Sequence, residues 1–440
     1  MGNDLDPGAA PSASTSDFIE AKTSGGPARI TIVQKPGGFG TKPAERAGRA
    51  LEPKMLDLQQ NHPSPLTRGR SAGCPWSTKS NPAPIMKNPL GLRILLGVLS
   101  SASPFLPVAL RAGTEPYKVV RTEKVGGEGG FDYVFADSAG RRLYVPRGDR
   151  IDVFDLDSLK PAGVILSTKS VHGVAVDPTS RHGFSSSQPV VMWDTGTLAT
   201  IKTIDVQGRP DGILFDAMTE RVFVLSHRAP NVTVIDAKDG SIVGTLDLDG
   251  APEQGVTDGR GHLFIDVEDK DNVAAVDAVA LKVTAHYGLG GKGGGPGALA
   301  IDAQNHILFS FCHSPHSAVI MSADDGRIIA SLPIGMGVDA AEFNPATKEA
   351  FSSQGDGTLT VIRENSPSSF EVEQTVQTQA GARTSTLDGA TNRIYLITAE
   401  WAKPTPEPTP AAGQSAPASN SWHRRGPMVP GSFTILVVGR

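Results

Sequence analysis

From residue 113 onward the apolar positions come in short runs, each ending in Asp or Asn and followed by a turn and a second run. The run Gly212-Ile-Leu-Phe-Asp216 has counterparts in Tyr133-Val-Phe-Ala-Asp137, Gly173-Val-Ala-Val-Asp177, Gly255-Val-Thr-Asp258, Ala298-Leu-Ala-Ile-Asp302, Ala340-Ala-Glu-Phe-Asn344 and Thr384-Ser-Thr-Leu-Asp388, at intervals of 40, 39, 42, 44, 42 and 44 residues. Some 17 to 20 residues after each lies a second apolar run, as in Ile151-Asp-Val-Phe-Asp155, Val191-Met-Trp-Asp194 and Val273-Ala-Ala-Val-Asp277; in Ala318-Val-Ile-Met-Ser322 and Leu359-Thr-Val-Ile-Arg363 the closing Asp is lost. Two more strand-like runs per unit, such as Arg221-Val-Phe-Val-Leu225 and Ile242-Val-Gly-Thr-Leu246, complete four short strands separated by turn residues such as Asp239-Gly240 and Asp325-Gly326. No connection is long enough for a crossover helix, so each unit predicts an antiparallel four-stranded sheet. A lone sheet of this size leaves both apolar faces wet, whereas seven stacked radially cover them. The expected fold is all-β: a seven-bladed β-propeller over 113–440.

Ring closure is also predicted. The seventh unit ends in Phe433-Thr-Ile-Leu-Val437, a third strand with no fourth after it, and residues 117–125 before the first unit resemble the fourth strands at 198–206 and 281–287. An N-terminal strand completing the last blade ties the circle without a covalent link. Residues 401–431 interrupt that blade with a stretch rich in Pro and then Ser, Ala and Gly, read as an exposed loop insertion.

Composition adds three regions. Forty-nine Gly and 34 Pro in 440 residues exclude a helical bundle or coiled coil, and two cysteines, Cys74 and Cys312, exclude a disulfide scaffold or a cysteine zinc cluster. Residues 1–85 lack hydrophobic period and read as disordered. Residues 86–112 have the order of a secretory signal: Met86-Lys87 and Arg93, an apolar run from 94 to 110 containing Pro104 and Pro107, then Arg111-Ala112-Gly113. Because such a signal belongs at an N-terminus, the expectation is that translation starts at Met86, that 1–85 is an upstream extension, and that the mature protein is periplasmic or secreted with no membrane span. Residues 113–440 hold 28 Lys/Arg against 39 Asp/Glu, a balance that opposes a nucleic-acid partner.

The units resemble the YVTN-type repeats of YncE-like seven-bladed propellers, relatives of the β-chain of quinoprotein amine dehydrogenase, through Asn231-Val-Thr-Val-Ile-Asp236 with Gly240-Ser-Ile-Val-Gly-Thr245 and through Val267-Glu-Asp-Lys-Asp-Asn-Val-Ala-Ala-Val-Asp277. The resemblance covers about 113–440 and implies an exported propeller of no fixed activity, one relative being reported to bind single-stranded DNA. WD40 repeats fit less well, since Trp193-Asp194 is the sole WD pair. Only Trp193 of four tryptophans lies in a regular strand, so the periodic tryptophans of a PQQ-dependent dehydrogenase are absent.

Counting back five residues from each unit's first Asp/Asn, or four in the shorter fourth unit, gives a ring expected at the channel mouth: Asp132, His172, Asp211, Gln254, Gly297, Asp339 and Arg383. The loops between second and third strands add His227, Arg228 and Glu268 to the expected ligand-binding set, and also Arg147, Asp149, His313, His316 and Glu400. Hydration of a water-filled channel would account for such polarity; a ligand-binding ring is the alternative. His313, His316 and Asp339 offer nitrogen and oxygen ligands to a divalent metal, against a loop that merely uses histidine. No cofactor and no catalytic residue is assigned, and the Gly-rich 288–297 stretch lacks the ending of a phosphate loop. The expected function is binding of a small molecule or protein partner at the channel mouth by a monomeric, non-enzymatic propeller. The alternatives are a metal-dependent lactonase on the same face and single-stranded nucleic-acid binding.

Overall fold

The computed structural model describes residues 115–403 and 426–440. Residues 1–85, 86–112 and most of the 401–431 insertion, each assigned a role above, lie outside the described residues. The described chain forms seven antiparallel four-stranded sheets in a ring, the seven-bladed β-propeller expected. Blade 3 shows the pattern, running Pro210–Asp216, Arg221–Ser226, Val232–Asp236 and Ile242–Leu246 from channel to rim. Among the described residues the one helical segment is a single 3-10 turn, Glu268–Lys270, and no helix is long and apolar enough to cross a membrane.

The recurring Asp has a structural cause. In the first hairpin of each blade it is buried or nearly so and its carboxylate accepts backbone N–H groups of the turn: Asp137 from Gly140 at 2.8 Å, Asp177 from Thr179 at 2.8 Å, Asp216 from Thr219 at 2.9 Å, with Asn344 accepting from Ala346 at 3.0 Å. The same residues stitch blades together: Asp388 of blade 7 pairs with Arg141 of blade 1 at 2.9 Å, and Asn344 of blade 6 donates to Asn392 of blade 7 at 2.8 Å.

Apolar side chains fill the seven spaces between neighbouring blades. Phe223, Leu225 and Val234 of blade 3 meet Leu263, Ile265 and Val276 of blade 4, and Leu143, Val145 and Phe154 of blade 1 meet Tyr395, Phe433 and Ile435 of blade 7. Between blades 1 and 2 the buried Trp193 lies flat over Gly183, where a Cβ would come within 2.2 to 2.6 Å of the indole. The ring closes as expected: Lys118–Lys124 pairs with Thr434–Gly439 as the outer strand of blade 7. Its register slips between Val119 and Arg121, just as the outer pair slips between Val234 and Ile235 in blade 3 and between Met192 and Trp193 in blade 2. The closing strand therefore reproduces a fourth strand down to its bulge.

Candidate functional site

The inner strands begin at one mouth of the channel, and the chain places a polar side chain there in almost every blade. Pro210, Pro252 and Pro296 each open an inner strand, where no ladder hydrogen bond is lost. Directly after them the register is irregular, between Pro210 and Ile213, Pro252 and Gly255, and Pro296 and Ala298, with a matching break between Val338 and Ala340. Asp211, Glu253, Gly297 and Asp339 sit inside these bulges, which re-aim a side chain out of the regular pleat. Below the mouth lies a channel of about 440 Å³ lined by the inner strands, including Val134, Val174, Ile213, Leu214, Val256 and Phe343. Glu342 also lines it without a partner among the described residues, and burial pushes its carboxyl up to about 8.

At the mouth a continuous chain of contacts spans four blades. His172 Nδ1 lies 2.7 Å from Asp132 Oδ2 and 3.2 Å from Asp211 Oδ1. His227 Nε2 lies 2.9 Å from Asp211 Oδ2 and 3.1 Å from Glu253 Oε1. Tyr133 reaches over from blade 1 to donate to Glu253 Oε2 at 3.2 Å. On the far side Arg383 Nε pairs with Asp339 Oδ2 at 3.0 Å. The loop carrying His227 is pinned by Ser226, whose hydroxyl accepts the Arg209 N–H at 2.5 Å and donates to the Arg228 carbonyl at 2.9 Å.

The electrostatics follow from this crowding. Hydrogen bonding to Asp211 and then Glu253 raises His227 to about 10 against the cost of its burial, and Asp132 followed by Asp211 raises His172. Burial raises Glu253, with the His227 contact opposing it. Asp339 is pushed well up, chiefly by burial and then by Asp132, Glu253 and Asp211, with Arg383 opposing. These carboxylates share one field although 207 residues separate the first from the last.

The structure brings Asp132, His172, Asp211 and His227 together, and Asp339 with Arg383. It corrects Gln254: the five-residue offset holds in the fourth unit as well, because Asp258 pairs with His262 just as Asp216 pairs with Arg221. The mouth residue of blade 4 is thus Glu253, while the Gln254 amide oxygen accepts the Leu299 N–H at 3.1 Å and ties blade 4 to blade 5. In blade 5 glycine replaces the ring side chain, and His313 takes the space: a Cβ on Gly297 would lie 2.5 Å from His313 Nε2. Burial lowers the His313 pKa. His313, His316 and Asp339 form no three-ligand group; among the described residues the two such groups of His, Cys, Asp and Glu are Asp132, His172, Asp211 and Asp211, His227, Glu253. Glu268 is half-buried and bears on Glu253 and His313 through its charge, and the Arg228 side chain is exposed and has no ion pair among the described residues. Arg147 is buried against the Phe433 ring at 3.9 Å and donates to Glu128 O, a structural role.

Comparison with known proteins agrees on the fold. No protein-family profile and no curated relative matches the chain. Solved structures do: the RRP9 WD40 repeats (TM-score 0.58, 12% identity, 73% of this chain and 97% of that one) and U3-55K (TM-score 0.55, 12% identity, 73% and 98%). A chain of the mitotic checkpoint complex matches with TM-score 0.56 and 15% identity over 70% of this chain and 96% of that one. The fold is a WD40-like propeller. The dipeptide that would signal it occurs once because hairpin caps and interblade packing, not that dipeptide, build these blades.

Proposed function

We propose that this protein is an exported, non-enzymatic propeller that binds a ligand or protein partner at its channel-mouth face, in the manner of the YncE-like repeats its sequence resembles. The observation that supports the reading is the convergence at one mouth of Asp132, His172, Asp211, His227 and Glu253, side chains only 13 to 25% exposed, from four blades. Structural need alone does not explain it: blade cohesion rests on the apolar clusters and on the Asp turns at the opposite end of each inner strand. A chain of similar fold belongs to a mitotic checkpoint complex, and so stands beside protein partners there. The test compares ligand and partner capture by the purified protein with that of Asp211→Asn and Arg383→Ala, using Arg260→Ala, at the other end of the inner strand, as control. Loss of binding in the mouth variants alone is expected. Binding that survives them, or lactone hydrolysis abolished by Asp211→Asn, would overturn the reading.

A further inference from the structure

We propose that the channel mouth is a binding site for divalent metal ions of the zinc class, with the Asp211 carboxylate shared between two sets of ligands. One set is Asp132, His172 and Asp211; the other is Asp211, His227 and Glu253. The inference rests on the reading of the mouth as the ligand-binding face and names the ligand.

Each set presents one imidazole nitrogen and two carboxylate oxygens, with all donor atoms within 4.8 Å of one another. Donor atoms around a tetrahedral zinc ion, each at about 2.0–2.2 Å, stand about 3.3–3.6 Å apart. The nitrogen–oxygen separations here are 2.7 and 3.2 Å in the first set and 2.9 and 3.1 Å in the second, and would open by roughly 0.1 to 0.9 Å to receive the ion, the His172–Asp132 contact the most. The two oxygens of Asp211 face different sets, Oδ1 toward His172 and Oδ2 toward His227, so one carboxylate can bridge two ions.

His227 shows the convergence most directly. Its Nε2 is shared between two carboxylate oxygens, 2.9 Å from Asp211 Oδ2 and 3.1 Å from Glu253 Oε1. Where a proton sits between this nitrogen and two anionic oxygens, a metal ion can replace it using the same three donors. The surroundings also fix the ligands as outer partners do in metal sites: Tyr133 holds Glu253 by Oε2, leaving Oε1 toward His227, and Ser226 pins the loop that carries His227. Imidazole with carboxylate favours zinc over calcium or magnesium, which take all-oxygen shells. One open coordination position in each three-ligand set leaves room for water or for a donor from a partner.

The experiment is zinc titration by calorimetry on the full chain, with metal content measured after dialysis and the visible spectrum of the cobalt(II) form recorded. Wild type is expected to bind one or two zinc ions, to discriminate against calcium, and to give cobalt d–d bands of nitrogen and oxygen ligation. Asp211→Asn, nearly isosteric, is expected to weaken zinc by more than the ~10–100-fold typical of losing an outer partner. His172→Ala and His227→Ala should each remove one set, while His262→Ala, an exposed histidine paired with Asp258 away from the mouth, should change nothing. Wild type without bound zinc and without cobalt bands overturns the proposal, whatever the variants do, as does zinc retained by the His172→Ala/His227→Ala double variant. Zinc failure with mouth-dependent ligand capture intact leaves the binding reading standing. Zinc binding with capture indifferent to the mouth variants overturns the binding reading instead.

Discussion

Truncating Tyr117 to alanine should release the closing strand and loosen its contact with blade 6, while blades 1 to 5 keep their packing. Lys118–Lys124 alternates exposed and half-buried positions and contains no fully buried residue, so its ladder to Thr434–Gly439 is backed by little apolar burial. The hold is concentrated at Tyr117, which is 4% exposed, stands edge-on to Phe351 with ring centroids 5.3 Å apart, and lies 4.3 Å beneath the Arg440 guanidinium. Its hydroxyl donates to Glu349 at 2.7 Å. The two hydrogen bonds between its backbone and Gln374, at 2.9 and 2.7 Å, survive truncation and are left out of the cost.

Losing a buried aromatic ring costs about 3–5 kcal/mol. Tyr117→Phe keeps the ring and gives up only the hydroxyl; Glu349 retains Arg363 at 2.8 Å and Arg440, which puts that loss near 1.5 kcal/mol. Lys118, Arg121 and Lys124 lie within the strand itself, so limited trypsin digestion reads its detachment directly. At about 1.4 kcal/mol per tenfold, cleavage should rise roughly a hundred- to a thousandfold or more in Tyr117→Ala and roughly tenfold in Tyr117→Phe. Deleting 117–126 is the limiting case, leaving Thr434–Gly439 as a bare edge that should aggregate. Cleavage of Tyr117→Ala at the wild-type rate, or equal effects of the two substitutions, would refute the reasoning.

Gly183→Ala should cost about 1–3 kcal/mol by driving a methyl into the Trp193 indole, read as a lower urea midpoint with altered tryptophan fluorescence; an unchanged midpoint would show that the indole can move. Glu364 is raised from 4.5 to about 7, chiefly by burial and then by Asp302, while Asn305 and Lys348 oppose. Between those two values the folded chain keeps a proton that the unfolded chain has released, so this group's contribution to stability falls as pH rises through that window. Glu364→Gln should therefore gain on wild type by at most about 3 kcal/mol in urea unfolding at about pH 8 relative to about pH 5; a difference that does not change with pH would contradict it.

The blades were legible because each hairpin is closed by a side chain that caps its own turn, and such a cap leaves a residue type at a fixed place in the repeat. Closure was legible for the same reason: a third strand lacking a fourth, and a spare strand at the other end, are statements about one chain's inventory. The mouth was only half legible. The spacing found Asp132, His172, Asp211, Asp339 and Arg383, but in the fourth unit it followed the apolar run rather than its closing Asp and so took Gln254 for Glu253. The WD40-like neighbours were not legible, because chains 12 to 15% identical can share a blade geometry without sharing a dipeptide.

What no periodicity could supply is the pairing across blades. Tyr133 meets Glu253 at a separation of 120 residues, and His227 enters the mouth from a loop while its partner Asp211 enters from a strand. A repeat specifies where each blade delivers a side chain, and the ring alone decides which deliveries meet. Blade 5 makes the point by exception: it delivers glycine, and His313 from the adjoining loop fills the gap without disturbing the sheet. The mouth residues lie five positions from the capping Asp and outside the interblade clusters, so their chemistry can change while the blade that carries them keeps its caps and core. The same separation lets four polar residues of different blades converge on one point, and it is why single substitutions there should alter binding far more than folding.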